Sequence, residues 1–265
     1  MFRKCAIIMS QLILIALIAM MVSFGLAQGH IKENRIPTHT ELSSIDTMST
    51  SFPVSSAKSV KKSMNSAVRI ISLAPAIGHV SVATGTYFKY RDSYFVLTVK
   101  HGIASPDCNF IQIEADGNLQ PCEEILSYDE RNDYAILSVP EIANRKPVRF
   151  PQDFVTKYRE WMQTISPLES LIYTGYPNTI GPVTLTGRVM GISPDEYVYF
   201  NSYACSGSSG SGVFNSKGKI MGYIVALDVG HTEYGVDVLE NVILVVPHYR
   251  VDWTPVFRKG NGYER

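Results

Sequence analysis

From Ala76 onward, the chain is a succession of short apolar and aromatic runs separated by turn residues. Clear examples are HVSVATGTYF, SYFVLTV, NFIQIEA, DYAILSV and EYVYFNSY. Several of them alternate apolar with polar residues, which is the period of a half-buried strand, and no long helical period appears. The best helix candidate is the C-terminal PHYRVDWTPVF, where a proline stands at the expected first turn. The pattern predicts an all-β fold, a sandwich or a pair of barrels, with a short C-terminal helix.

A less regular stretch, PEIANRKPVRFPQDFVTKYREWMQTISP, divides these strands into two groups and is predicted to connect them. The chain has 265 residues, which is enough to bury a sizeable core. Its Lys plus Arg and Asp plus Glu both number 24, so the formal net charge is zero. Because nucleic-acid binders usually carry a basic patch, this balance argues against a nucleic-acid partner.

Residues 1–27 are predicted to be a signal peptide or a membrane anchor. Arg3 and Lys4 precede an uncharged run of 22 residues from Cys5 to Leu26, and small residues stand where a signal peptidase would read a cut after Ala27. The run is longer than a usual signal core and long enough to span a bilayer, so both alternatives stay open. Either one predicts an exported protein, secreted or periplasmic, with membrane anchoring through this segment as the second case.

Residues 28–66 are predicted to be a disordered stalk. Thirteen of these 39 residues are Ser or Thr, and no sustained apolar period runs through them. A segment of this composition cannot bury enough apolar surface to offset the entropy of ordering. The folded domain is therefore predicted to span residues 67–265.

Three cysteines follow the export segment, namely Cys108, Cys122 and Cys205. Export permits disulfides, but an odd number leaves at least one thiol over. Cys108 and Cys122 could close a hairpin, and three buried free thiols are the alternative.

The glycine- and serine-rich run ACSGSSGSGVF, residues 204–214, lies between two predicted strands. Gly207 can adopt a positive φ and turn its N–H toward the same point as the N–H of Ser209, and two such donors beside a hydroxyl form an oxyanion hole. Ser209 is therefore the candidate nucleophile. Taken alone, the pattern is also that of a flexible loop.

A serine nucleophile needs a base and an acid. The six histidines are His30, His39, His79, His101, His231 and His248. His101 ends the apolar run YFVLTVKHGI, where a tight turn would hold its ring at a sheet edge; a capping or core histidine is the alternative. His248 follows a proline at the predicted C-terminal helix and is expected to be structural.

Asp133 is the candidate acid because it directly precedes the alternating run YAILSV. The alternative reading is a turn-forming aspartate before a strand, which is common. Asp129 is a rival four residues earlier, but it lies farther from the strand that would orient it.

In the order His101, Asp133, Ser209, the chain resembles the trypsin-like serine proteases of the chymotrypsin fold. The likeness rests on LTVKHGI, DYAIL and GSSGSGVFNSKGKIMGYIVA and covers about residues 76–255. It is closest to bacterial and viral-type members and to the HtrA-like protease domain. The order also differs from the Ser, Asp, His order of the α/β-hydrolases.

The resemblance implies two six-stranded antiparallel β-barrels with the active site in the cleft between them. It implies a serine endopeptidase that cleaves polypeptides through an acyl-enzyme, with no cofactor and no metal. It also implies an oxyanion hole at Gly207 and Ser209. Substrate would bind Tyr203, at the base of the primary pocket, and the strand edge formed by Ile224, Val225 and Ala226.

The chain departs from the family pattern at several positions. No cysteine pair brackets His101, and no PDZ module is expected after Arg265. Ser208 stands where digestive members carry the acidic residue that binds a newly cut N-terminus. The oxyanion loop is therefore expected to be competent as folded, with residues 28–66 as a spacer.

Two other classes of function remain open from the sequence. One is a pseudoprotease of the same fold that binds an extended peptide without cutting it. The other is a structural cell-surface β-domain on a Ser/Thr-rich stalk, in which the Gly/Ser run is an ordinary loop.

Overall fold

In a computed structural model, we describe residues 54–177, 180–232 and 235–262, without the side chains of 54–56 and 226–240. The predicted export segment, residues 1–27, lies outside the described residues. Within the described part, no helix is both long enough and apolar enough to cross a membrane.

The first half of the described chain builds one antiparallel sheet with a single parallel strand at its side. Helix α1 (Val54–Ser66) precedes the strands β1 (Ala67–Ala74), β2 (His79–Tyr90), β3 (Ser93–Thr98), β4 (Ile111–Ala115), β5 (Asn118–Pro121), β6 (Glu124–Asp129), β7 (Tyr134–Val139) and β8 (Val148–Arg149). The strand order is β5-β4-β1-β2-β3-β7-β6, and β8 pairs with β2.

The second half closes into a six-stranded barrel. After helix α2 (Tyr158–Thr164) come the strands β9 (Ser170–Gly175), β10 (Val183–Ile192), β11 (Val198–Asn201), β12 (Gly212–Asn215), β13 (Ile220–Thr232) and β14 (Gly235–Pro247), then helix α3 (Thr254–Gly260). The barrel order is β10-β11-β14-β13-β12-β9. The predicted mostly-β fold and the short C-terminal helix are confirmed, and the irregular connector contains α2, whose Trp161 is buried in the barrel core.

The prediction of two closed six-stranded barrels holds for the second half only. The first sheet has eight strands and curls without closing among the described residues. Closure would need a ladder between the edge strands β5 and β6. Instead, the two residues that join them donate outward, Cys122 N–H to Ile111 O at 3.3 Å and Glu123 N–H to Ser138 O at 2.9 Å. The two-residue link between β5 and β6 is therefore hydrogen-bonded to β4 and β7.

The predicted disordered stalk is wrong for its last 13 residues, which form α1. Ser59, Ser63 and Ser66 recur at helical spacing and are all buried. Their hydroxyls have partners: Ser59 donates to Asn215 O at 2.7 Å and Ser63 to Thr174 Oγ1 at 2.8 Å. The Ser/Thr-rich composition predicts disorder, whereas these three serines form the face of a helix that packs by hydrogen bonding.

One ion pair fastens α1 to the connector. Lys62 Nζ lies 2.6 Å from Asp153 Oδ1 and also donates to Gly218 O at 3.0 Å. Burial opposes ionisation of Asp153, but the hydrogen bonds from Lys62 and from the Arg149 N–H outweigh it and hold the pKa of this carboxyl below its ordinary value. The carboxylate is therefore ionised and paired at neutral pH.

We predict that Lys62→Met lowers the free energy of unfolding of the full chain by about 2 kcal/mol at neutral pH, because it leaves a mostly buried carboxylate without its charged partner. A group whose folded pKa is depressed contributes stability above its unfolded pKa, about 3.9 for Asp, and loses it as the pH falls through the folded value. The difference from wild type should therefore shrink in acid. Urea denaturation at neutral and acidic pH measures it.

The matched control is Lys58→Met, which changes an exposed lysine of the same helix. It should leave stability within about 0.5 kcal/mol of wild type, as surface substitutions usually do. An equal loss for both variants, or a Lys62 effect that does not change with pH, would contradict the role given to the ion pair.

Candidate active site

His101 and Asp133 are brought together by the pairing of β3 with β7. Thr98 of β3 pairs with Ala135 of β7, so the residues just past one strand end lie beside those just before the other strand begins. His101 Nδ1 lies 2.5 Å from Asp133 Oδ2, and the His101 backbone N–H donates to Asp133 Oδ1 at 2.9 Å. Both carboxylate oxygens therefore bind one histidine and hold its ring in a single orientation, with Nδ1 as the donor.

The backbone of Asp133 has a positive φ of 52°. Aspartate is one of the few residues that adopt this region at modest cost. Its own carbonyl accepts the N–H of Lys100 at 3.3 Å, which ties the two turns a second time. The turn before β7 therefore uses both the side chain and the main chain of Asp133.

Asp129, the rival acid, is engaged elsewhere. Its Oδ1 accepts the backbone N–H of Asn132 at 2.6 Å, which closes the turn between β6 and β7. No hydrogen bond or ion pair joins Asp129 to His101 among the described residues. The structure thus brings Asp133, and not Asp129, to the histidine.

Tyr223 supports the same turn, and sequence reasoning did not identify it. Its hydroxyl donates to Asn132 O at 2.6 Å, one residue before Asp133. Burial, together with the nearby negative charge of Asp133, raises the pKa of Tyr223 well above its ordinary value, so the hydroxyl stays protonated and remains a donor. The only feature of the sequence that could have identified Tyr223 is the presence of a tyrosine in the apolar strand run YIVAL.

His248 is buried, as expected for a structural residue. Its ring packs against Phe154, Tyr223 and Trp253, with centroid distances of 5.0, 5.8 and 5.7 Å. Burial lowers the pKa of His248 to about 3, so the ring is neutral at physiological pH. It takes no part in the cleft that contains His101.

The Gly/Ser run forms a tight turn that precedes β12. Gly207 and Gly210 both have positive φ, 94° and 88°. The Ser208 N–H donates to Cys205 O at 2.9 Å and the Ser211 N–H to Ser208 O at 3.1 Å. The run is therefore a folded loop and not a flexible spacer.

Ser209 is the serine at the centre of this turn that solvent can reach. Ser208 is 2% exposed and Ser211 is fully buried, and both hydroxyls serve the turn: Ser208 Oγ accepts the Cys205 N–H at 3.3 Å, and Ser211 Oγ donates to Ser208 O at 2.6 Å. Ser209 is half-buried, and its hydroxyl donates to Val225 O at 3.1 Å. Its hydroxyl therefore bonds to the neighbouring strand β13 and not to His101.

Two backbone donors of the Gly/Ser turn, the N–H groups of Gly207 and Ser209, have no acceptor in the described part of the chain. Among residues 54–177, 180–232 and 235–262, neither the Gly207 N–H nor the Ser209 N–H donates to another protein group. Backbone N–H groups near a folded core are nearly always paired. Two unpaired donors next to a hydroxyl can bind a negatively charged oxygen.

His101, Asp133 and Ser209 share one cleft of about 340 Å³. The residues that line it are His101, Asp133, Ala204, Cys205, Ser206, Ser208, Ser209, Ile224 and Val225. The cleft therefore joins the end of β3, the Gly/Ser turn and the start of β13. Ala226 belongs to β13, and its side chain lies outside the described part.

Tyr203 does not line this cleft, contrary to expectation. Its side chain is 53% exposed, and its carbonyl accepts a hydrogen bond from the Tyr173 hydroxyl. The neighbouring Ala204 is buried and lines the cleft. Tyr203 is therefore exposed outside the lining of the cleft.

The cysteines divide as one pair and one free thiol. Cys108 and Cys122 form a disulfide, and Cys205 is free at the edge of the cleft. Within the described residues, no group of His, Cys, Asp and Glu side chains is arranged to hold a metal ion.

Comparison with known proteins gives one family and several relatives. A family model described as a trypsin-like peptidase domain matches residues 83–222. The chain is 26% identical over 146 residues to a probable periplasmic serine endoprotease, DegP-like, of Rhizobium meliloti (strain 1021). That match covers 55% of this chain and 28% of the relative, so it spans less than a third of the relative's length.

Solved structures share the fold. A serine endoprotease from Yersinia pestis matches with a TM-score of 0.58 and 20% identity, over 79% of this chain and 67% of that chain. A protease from M. tuberculosis in its active form matches with a TM-score of 0.54 and 20% identity, over 73% of this chain and 80% of that chain. At these identities the likeness establishes the architecture alone.

Proposed function

This chain belongs to the trypsin-like peptidase family, and we propose that it is a serine endopeptidase that cleaves polypeptides through His101, Asp133 and Ser209. The observation that carries the proposal is the pair of hydrogen bonds from His101 to Asp133, at 2.5 and 2.9 Å, in the cleft that also exposes Ser209. A histidine oriented by a carboxylate beside an accessible serine is the arrangement that activates a hydroxyl.

In the proposed reaction, His101 takes the proton of Ser209 while Oγ attacks the carbonyl carbon of the peptide bond. The proton then passes to the leaving amine, and the acyl group remains on Ser209 as an ester. Water enters, His101 takes one of its protons, and the ester is hydrolysed to regenerate the serine. Asp133 keeps Nδ1 protonated, so the other ring nitrogen faces the serine, and it stabilises the imidazolium.

Before attack, the Ser209 hydroxyl has to leave the Val225 carbonyl and turn toward His101. Catalytic hydrogen bonds are often formed only once substrate is bound, so the bond to Val225 is compatible with this role. We propose that the substrate lies as an added strand along Ile224, Val225 and Ala226. A substrate N–H that pairs with the Val225 carbonyl would then replace the serine hydroxyl there.

The negative charge of the tetrahedral intermediate is assigned to the Gly207 and Ser209 N–H groups. Both lack acceptors within the described residues, so they need not break a bond to bind the oxyanion. Donors fixed in this way contribute about 3 kcal/mol each to the transition state in comparable sites.

We also propose that the protein works outside the cytoplasm. The relative from Rhizobium meliloti is named as periplasmic, and the Cys108–Cys122 disulfide suits an oxidising compartment. Residues 1–27, as a signal peptide or anchor, would provide the route.

A pseudoprotease that binds peptides without cutting them is the second candidate. The observation that favours it is that the Ser209 hydroxyl bonds to Val225 and not to His101. Covalent reaction with an active-serine probe separates the two, because only an activated hydroxyl attacks it.

We predict that Ser209→Ala abolishes covalent labelling of the full chain by a fluorophosphonate, since it removes the attacking oxygen. Ser206→Ala is the matched control, because Ser206 is exposed on the same loop and lines the same cleft. It should label like wild type. Gel fluorescence after labelling measures both, and label retained by Ser209→Ala would show that another residue is the nucleophile.

We predict that Asp133→Asn lowers kcat by about 10⁴-fold, because the amide favours the wrong tautomer of His101. Asp129→Asn should stay within about tenfold of wild type, since an amide oxygen can still accept the Asn132 N–H. Steady-state hydrolysis of a peptide substrate gives both values. The reverse ranking would move the acid from Asp133 to Asp129.

We predict cleavage after small or apolar residues. Among the described side chains that line the cleft, Asp133 is the one acid, and both its oxygens bind His101, so none of these side chains leaves a carboxylate for a basic residue of the substrate. Profiling of a peptide library with the full chain measures the preference, and Tyr203→Ala should leave it unchanged because that side chain faces outward. A profile dominated by Arg or Lys before the cut would contradict the expectation.

A further inference from the structure

Thr84 of β2 connects the first sheet to the Gly/Ser turn, and all of its polar groups are engaged. It is fully buried, and its backbone N–H donates to Ser209 O at 2.8 Å. Its carbonyl accepts the Thr98 hydroxyl at 2.7 Å. The residue therefore stands between β3, which leads to His101, and the turn that carries Ser209.

The Thr84 hydroxyl makes two bonds with a defined direction. It accepts the backbone N–H of Tyr176, just after β9, at 2.9 Å. An N–H can only donate, so the hydroxyl proton is left for Gly207 O, which lies 2.7 Å away. The side chain thus links three segments: β2, the end of β9 and the oxyanion loop.

The turn approaches Thr84 very closely. A Cβ on Gly210 would lie 2.0 Å from the Thr84 carbonyl oxygen, and Gly210 has a φ of 88°. No other residue type fits this position without moving the strand or the turn. The contact between Thr84 and the turn is therefore built into the packing of the two halves.

The bond to Gly207 constrains the part of the loop with the greatest freedom. The Ser209 N–H belongs to the peptide whose carbonyl, Ser208 O, already accepts two bonds from Ser211, at 3.1 and 2.6 Å. The Gly207 N–H lies on the preceding peptide, Ser206–Gly207, for which no hydrogen bond occurs among the described residues, and glycine rotates more freely than any other residue. Among the described residues, the Thr84 hydroxyl is the partner of the Gly207 carbonyl.

We propose that the Thr84 hydroxyl is a positioning residue for the oxyanion hole. By binding the Gly207 carbonyl, it restrains rotation about the Gly207 Cα and so limits the orientations open to the Gly207 N–H on the preceding peptide, and it does so without touching substrate. This inference rests on the proposed function. It also explains how the loop is held although Ser208, the residue before the proposed nucleophile, is neutral and cannot form an ion pair. Hydrogen bonds from β2, between buried neutral groups, restrain the loop.

The test is Thr84→Val in the full chain, which keeps the shape and removes the hydroxyl. We expect kcat to fall about 10²-fold with little change in KM, as when one oxyanion donor is lost. Affinity for a peptide boronic acid, which presents a tetrahedral anion, should fall by the same factor. Affinity for the cleaved peptide product should not change. Thr84→Ser, which restores the hydroxyl, should stay within about threefold of wild type.

Thr174→Val is the matched control for lost stability. Thr174 is equally buried and its hydroxyl bonds to Ser63 and Thr184, but not to the Gly/Ser turn. It should lower the melting temperature and leave kcat and the boronate affinity unchanged. If Thr84→Val does not fold, Thr84→Ala removes the same hydroxyl and must show the same split between kcat and KM.

The outcomes separate the two proposals. Two results would overturn the role of Thr84 and leave the proposed function intact. One is an active wild type with an equally active Thr84→Val variant. The other is a Thr84→Val variant that loses affinity for the boronate and for the product together. A wild type without turnover and without labelling at Ser209 overturns the proposed function and this inference with it.

Discussion

The antiparallel ladder between β3 and β7 is the constraint on which the candidate site depends. By pairing Thr98 with Ala135, it brings two turns together that are 32 residues apart in the chain, and Asp133 then meets His101 through both carboxylate oxygens. Tyr223 restrains the same turn through the Asn132 carbonyl. The orientation of the histidine is thus a property of the sheet and does not need a bound substrate.

The turn that carries Ser209 belongs to the other half of the molecule, so the contact between the two halves sets its position relative to His101 and Asp133. Thr84 of the first sheet bonds to Gly207 and Ser209 of the turn, and α1 bonds to Asn215 at the far end of β12. The strand that follows Ser209 is therefore held at both ends. Neutral hydrogen bonds between buried groups hold the turn in place, and the Lys62–Asp153 ion pair fastens the helix behind it.

The elements with a strong local pattern could be predicted from the sequence, and those that depend on distant partners could not. His101 and Asp133 lie at the ends of clearly apolar runs, so their neighbourhood followed from the likeness of the strands to a known family. The open edge of the first sheet depends on where Cys122 and Glu123 donate, which no local pattern records. Likewise, α1 is polar in composition and packs because Ser59 and Ser63 find acceptors far along the chain. Tyr203 matched the family position by spacing, yet its side chain faces solvent.

The proposed mechanism requires that Ser209 carries the acyl group during turnover. The direct measurement is intact-mass and peptide-mapping analysis of the full chain, quenched in acid during hydrolysis of a slowly deacylating peptide ester. We expect a single added acyl mass on the peptide that contains Ser209, assigned to that residue by fragmentation. An adduct on Cys205, the free thiol in the same cleft, or turnover with no acyl intermediate at Ser209 under conditions that trap one, would contradict it.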